Sequence, residues 1–316
     1  MDGLLVIDKP AGPTSHDVVA RVRRVLGEQR IGHTGTLDPA ASGVLPLVLG
    51  RATRLARFMS GSNKRYEAVV RFGQATDTYD AEGVPVGEQS IAVPSREQLE
   101  SALDAFRGTF EQQPPAFSAK KVAGRRSYES ARAARLKPLP DLPDPPGLPG
   151  LPGLPAPPAL SALPAPVSVT VHHLAIVGLA ADCATLTLEC SAGFYVRSLA
   201  HELGVSLGIG AHLAALRRTA SAGLTLADAI PLDAAERSRD AAAAAIVPIE
   251  RMLQDLPSVV LGREDVERVT HGQDVAAGAR KAGGNSVRLF DQAGQLLGIA
   301  EAARTPGFLH PSIVLR

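Results

Sequence analysis

The chain has little cysteine, no long apolar run near its start and almost no net charge, and each shortage closes off a class of protein. Two cysteines, Cys183 and Cys190, stand among 316 residues, seven apart and without metal-like spacing. A disulfide-stapled scaffold is thereby excluded, and the pair reads as reduced, half-buried thiols of a cytoplasmic protein. The apolar run Leu4 to Ile7 is too short for a signal-peptide core or a membrane span. A net charge of +1 says nothing of nucleic acid by itself. What remains, at 45% hydrophobic and 21% charged, is an ordinary globular composition with a length that suggests two domains.

The distribution of charge says more than its sum. Residues 1–140 hold 20 Lys/Arg against 15 Asp/Glu, and residues 141–316 hold 13 against 17. Within 117–137 stand Lys120, Lys121, Arg125, Arg126, Arg132, Arg135 and Lys137, opposed by Glu129 alone. Such a cluster is the footprint of a polyanion binder or a solvated basic helix face.

Local patterns mix helix and strand. Gly3–Asp8 reads as a strand. Thr14-Ser15-His16-Asp17 can cap a helix through Leu26. Ala40–Ala56 reads as apolar helix, or helix plus strand. Tyr66–Phe72 looks like a strand and Arg96–Phe106 like an amphipathic helix. Val167–Val177 and Ala184–Cys190 alternate like paired strands. A helix through Leu207 follows, and Ala211–Arg218 has helical periodicity. Val287–Phe290 and Leu296–Ala300 flank a hairpin signal at 291–294, which suggests a small β domain from about residue 255. Residues 138–166 carry 12 of the chain's 25 prolines and cannot form helix or sheet interior. They read as an extended, mobile and dispensable insertion.

The stretch 32–43, GHTGTLDPAASG, holds a lone carboxylate. It lacks the Gly-Lys-Ser/Thr of a phosphate loop and the spacing of a dinucleotide loop. His201-Glu202 begins like a zinc motif, but position 205 is Val, so His201 reads as surface or packing. Asp38-Pro39 is a standard helix start, with Asp38 as cap. The functional alternative is a carboxylate presented by glycines to an electrophilic carbon, as in nucleophilic catalysis. No partner acid stands beside it for glycoside hydrolysis.

Here the residues carry a resemblance. GHTGTLDPAASGVLPLVLGRATR is similar to the nucleophile segment of the TruB-type tRNA pseudouridine synthases. GLLVIDKPAGPTS, KRYEAVVRFGQATDTYDAEG, QQPPAFSAKKVAGRRSYESAR, and CSAGFYVRSLAHELG with GAHLAALRRTA agree in order, over most of residues 3–220. The tail resembles the family's PUA-like RNA-binding domain more weakly, and the insertion departs from the family pattern.

The resemblance implies an α+β catalytic domain over 1–250, built on a mixed, mainly antiparallel sheet with flanking helices, and a β-rich PUA-like domain over 255–316. It implies isomerisation of uridine at tRNA position 55, in the T-loop, to pseudouridine. No metal, nucleotide or redox cofactor is implied, because bond orders balance within the substrate. Asp38 matches the nucleophile, attacking either C6 of the uracil or C1′ of the ribose. Tyr66 matches the tyrosine that stacks on the extruded base and helps remove its C5 proton. Arg197 matches the arginine that pairs with the nucleophile and keeps it ionised. His33 matches the residue that inserts where the base has flipped out. Tyr195 and Leu216 match pocket walls, and Lys9, grouped with these substrate contacts, matches a motif that shores up the catalytic loop. Lys64, Arg65, Lys120, Lys121, Arg125, Arg126, Arg217 and Arg218 become candidates for the T-arm backbone, with binding that weakens steeply with salt. The expected partner is tRNA alone, bound by a monomer. The rival reading is a non-catalytic RNA-binding or tRNA-folding module with the same pocket. Asp38, Tyr66 and Arg197 together speak against it, since binding alone needs no carboxylate near a polyanion and such a carboxylate costs affinity.

Overall fold

The computed structural model describes residues 1–116, 121–122, 125–126, 164–277 and 286–315, the four at 121–126 as backbone only. Lys120 and residues 138–163 of the Pro-rich stretch lie outside them. In chain order the main strands are β1 (Gly3–Lys9), β2 (Ile31–His33), β3 (Ser42–Leu49), β4 (Lys64–Phe72), β5 (Gly108–Gln112), β6 (Val167–Ala180), β7 (Cys183–Cys190), β8 (Ala211–Ser221), β9 (Ser258–Val260), β10 (Val275–Ala276), β11 (Ser286–Phe290), β12 (Leu296–Ala302) and β13 (Phe308–Val314). The main helices are α1 (Ser15–Leu26), α2 (Arg96–Leu103), α3 (Val196–Ser206) and α4 (Arg263–Thr270). No described helix is long and apolar enough to cross a membrane.

Contacts divide the chain into two compact units, Met1–Ser62 with Ser221–Arg316, and Asn63–Ala220. In the first, β1 and β3 pair antiparallel from Gly3↔Leu49 to Lys9↔Gly43. β2 joins the other edge of β3, with His33 opposite Leu47. The Thr14 side chain accepts a hydrogen bond from the Asp17 N–H and the Asp17 carboxylate accepts one from the Thr14 N–H, a reciprocal cap that starts α1. Gly27, at φ +67°, ends it. Between them Val18, Val19, Val22 and Leu26 form the buried stripe.

The tail is a second sheet of the same unit, in the order β9-β11-β12-β13-β10. Val287, Leu289, Ala300 and Leu309 face α4 through Val269, while Leu296, Ile299 and Ile313 join Leu4, Val6, Val44 and Val48 in a shared core. The small β-rich part expected from about residue 255 thus begins as a sheet at Ser258 and packs with β1 and β3.

In the second unit the strands run β8-β4-β7-β6-β5. β4 and β7 pair antiparallel with Tyr66 opposite Leu188. Val70, Leu186, Leu188, Leu99, Leu103, Leu199 and Leu203 fill the core between this sheet and helices α2 and α3.

Two expectations from periodicity need correction. Ala40–Ala56, read as helix or as helix plus strand, is mainly strand β3, with a short 3-10 helix over Gly50–Leu55 behind it. Its consecutive residues Val44 to Leu49 that carry apolar side chains are all buried, the signature of a strand covered on both faces. Ala211–Arg218 is likewise strand β8, because pairing beside β4 outweighs a local period.

Cys190 is buried in the core of the second unit, and burial pushes its thiol up to about 12; burial also raises Cys183. Since the thiolate is the reactive form, maleimide at neutral pH should label the native protein slowly at Cys183 and not at Cys190. Mass spectrometry of labelled peptides, with a denatured control in which both react, checks this.

Candidate active site

Asp38 stands in the first unit, on the loop between β2 and β3. It caps no helix: the Ala41 N–H donates to the Asp38 carbonyl at 3.1 Å, closing a single turn over Pro39 and Ala40. The helix-cap expectation is thereby overturned, because the chain re-enters the sheet at Ser42.

Four fixed contacts hold this turn. Lys9, at the end of β1 and 0% exposed, donates from Nζ to the carbonyls of Pro10 (2.9 Å), Pro39 (3.1 Å) and Ala41 (2.7 Å). An ammonium has three hydrogens, and here each has a carbonyl. The Gly12 N–H donates to the Pro39 carbonyl at 2.8 Å, from a backbone at φ +111° that favours glycine. The buried Ser15 hydroxyl accepts from the Leu37 N–H at 2.8 Å and donates to the Leu37 carbonyl at 3.0 Å. The Thr34 N–H donates to the Pro46 carbonyl at 3.1 Å. Lys9 is therefore placed to hold the loop, and its burial removes it from substrate contact. His33 ends β2, half-buried, with its ring edge-on to His16 at 5.2 Å.

The remaining candidates belong to the second unit. Tyr66 lies on β4 at the rim of the core, as does Leu216 on β8. Arg218, on β8 and 1% exposed, donates to the Tyr66 hydroxyl; burial lowers its pKa, opposed by that contact. Burial, with the charge of Arg218 added, also pushes the Lys64 ammonium below its usual value. Arg197, 7% exposed on α3, pairs with Asp80 at 3.4 Å and donates to the Thr78 carbonyl at 3.3 Å. Tyr195, just before α3, has no side-chain cap of its own. The buried Gln112 amide instead accepts from the Tyr195 N–H at 2.7 Å and donates to its carbonyl at 3.0 Å.

The expected RNA-backbone set divides accordingly. Lys64 and Arg218 are buried, which speaks against a place in that set. Arg65 is exposed and bonds Glu189 at 2.7 Å, a pair worth at most about 1 kcal/mol and readily given up. Arg217 is half-buried. Lys121 and Arg125–Arg126 belong to two short paired strands, described as backbone.

Sequence reading missed Asp80, Gln112 and Ser15. Asp80 stands inside a quoted motif, but nothing local separates it from Asp77. The partners of Gln112 and Ser15 are main-chain groups far along the chain, which residue identity does not announce.

Matches with known families cover most of the chain. Residues 23–141 match the TruB family pseudouridylate synthase N-terminal domain. Residues 197–254 match the tRNA pseudouridylate synthase B C-terminal domain, and 257–315 the pseudouridine synthase II TruB C-terminal domain. The chain belongs to the TruB family. Proteins called tRNA pseudouridine synthase B are similar over nearly the whole length: 42% identical in Solibacter usitatus (100% of each chain), 39% in Ralstonia nicotianae (98% of this chain, 92% of that one) and 38% in Pseudomonas aeruginosa (95% and 92%). Among solved structures, an H/ACA RNP bound to a substrate RNA containing 2'-deoxyuridine contains a chain with TM-score 0.68 and 24% identity, covering 99% of this chain and 85% of that one. A Cbf5-Nop10-Gar1 complex gives the same TM-score and identity. The architecture is the pseudouridine synthase fold, as the TruB-like segments imply.

One titration is testable in this unit. Burial depresses the pKa of His201, on α3, and raises that of Glu202. An imidazole with a depressed folded pKa leaves stability untouched above its unfolded value of about 6.5 and removes stability as pH falls below it. The melting temperature of the wild type should therefore fall more between pH 7 and pH 5 than that of His201→Phe. Glu202 is common to both proteins and cancels. Parallel curves would contradict the burial of His201.

Proposed function

We propose that this chain isomerises uridine 55, in the T-loop of tRNA, to pseudouridine. The single observation that carries the reading is Asp38, held by Lys9, Gly12 and Ser15 on a turn between two strands, in a TruB-family chain. The named relatives support tRNA as the substrate.

Asp38 is the nucleophile. The N1–C1′ glycosidic bond breaks, a C5–C1′ bond forms, and the proton on C5 ends on N1, so no redox partner or metal is required. A stacked base cannot reach a carboxylate on a protein turn, so the uridine is flipped out at a cost of a few kcal/mol. His33 fills the vacated place in the T-loop. Tyr66 stacks on the uracil, and its hydroxyl, held by Arg218, assists removal of the C5 proton. Arg197, oriented by Asp80, matches the family's arginine that favours the ionised form of the nucleophile. Tyr195 and Leu216 wall the base.

Arg65 and Arg217, with Lys120, Lys121, Arg125 and Arg126, meet the T-arm backbone, where phosphate contacts supply affinity without reading sequence. The C-terminal sheet serves as a PUA-like RNA-binding element. The protein acts in the cytoplasm as a monomer, with tRNA as its one partner. Residues 138–166 are dispensable.

The test compares wild type with Asp38→Asn on a tRNA transcript, mapping pseudouridine by carbodiimide labelling and primer extension and measuring tRNA affinity alongside. The wild type gives a stop at position 55. The variant gives none, a loss of at least about 10³-fold for removal of a nucleophile, and binds within a few-fold of wild type. Turnover by Asp38→Asn, or binding without a stop from either protein, overturns the reading in favour of an RNA-holding module.

A further inference from the structure

Arg197 and His201 lie four residues apart on α3, so their side chains share one face of the helix. Each takes a consecutive residue of the loop over residues 76–83. Arg197 takes Asp80. His201 takes Tyr79: the two rings stack with centroids 3.8 Å apart and planes 10° from parallel.

Tyr79 stands at φ +67°, a region that side chains other than glycine, asparagine and aspartate rarely adopt. Such strain persists only where its surroundings over-determine it. Main-chain bonds tie this loop to β8: the Leu213 N–H donates to the Tyr79 carbonyl at 2.9 Å and the Ala81 N–H to the Leu213 carbonyl at 3.1 Å. The loop also braces Asp80 internally, since Thr78 Oγ1 donates to Asp80 Oδ1 at 2.6 Å and Thr76 Oγ1 to the Asp80 carbonyl at 2.7 Å. None of these bonds reaches α3. Towards the helix the loop is held by the Arg197 contacts, at 3.4 Å and 3.3 Å, and by the ring stack. Those distances are at the outer limit of hydrogen bonding, so a shift of a few tenths of an ångström would lose both.

We infer that the Tyr79–His201 stack is a positioning contact for the Asp80–Arg197 pair, fixing the loop against α3 so that the guanidinium keeps its orientation. The inference rests on Arg197 being an active-site residue, as proposed above. His201 and Tyr79 act through Arg197 and touch no reacting atom.

Single-turnover pseudouridine formation and tRNA affinity would be measured for His201→Ala, His201→Phe, Tyr79→Asn and Arg197→Lys, with melting temperatures to establish that each is folded. Asparagine tolerates the left-handed backbone of Tyr79 while removing the ring. The expected result is a rate lowered roughly ten- to a hundredfold in His201→Ala and Tyr79→Asn, with affinity unchanged, as for misplacement of a catalytic group. His201→Phe, which keeps a flat ring on Tyr79, should return to within a few-fold of wild type. A wild-type rate in His201→Ala, or an equal loss in His201→Phe, would overturn the inference while Arg197→Lys remains impaired. An unimpaired Arg197→Lys would instead overturn the active-site reading on which the inference stands.

Discussion

A buried ammonium sets the geometry on which this molecule depends. Lys9 has left water entirely, and three carbonyls accept hydrogen bonds from its ammonium, two of them from the turn that follows Asp38. Stripping a buried charge of its partners costs several kcal/mol, a large part of the stability of an ordinary protein. The loop between β2 and β3 therefore has one arrangement that satisfies Lys9, and the position of Asp38 follows from it. Ser15 and Gly12 add neutral hydrogen bonds of about 1 kcal/mol each, enough to refine that arrangement but not to create it.

The same economy governs the second unit. A protein that handles a polyanion is expected to spread its cations over its surface, yet Lys64, Arg197 and Arg218 are buried. Two of them are aimed at fixed polar groups, Arg218 at the Tyr66 hydroxyl and Arg197 at Asp80 and the Thr78 carbonyl. These two cations hold polar groups of their own unit. Arg65 differs: it is exposed and paired with Glu189 across a surface contact. Basic residues adjacent in the chain, such as Arg217 and Arg218, thus differ in burial according to which face of a strand they occupy.

Most elements were legible because their causes are local. The Thr14–Asp17 cap, the alternation of β6 and β7 and the hairpin at 291–294 are each written within a few residues of where they act. The failures have a common cause. β8 reads as helical, and the β3 region as helix or helix plus strand, because small and apolar residues fall at permissive spacing, and pairing with distant strands decides otherwise. At the site, Asp38, Tyr66 and Arg197 stood out through resemblance, but what holds them did not. Lys9 could be read as a support, whereas the Gln112 amide bracing Tyr195 and the Asp80 carboxylate beside Arg197 join residues more than eighty positions apart. Adjacent basic residues gave no sign of which would be buried, so Lys64 and Arg218 were grouped with the phosphate contacts.

Lys9 fixes the turn that carries Asp38, the nucleophile proposed above. The most direct measurement is single-turnover pseudouridine formation by Lys9→Met, which keeps most of the side-chain volume and removes the charge, with tRNA affinity measured on the same folded protein. The expected rate is at least about a hundredfold below wild type, with an affinity within a few-fold of it. A wild-type rate from Lys9→Met would contradict this role of Lys9.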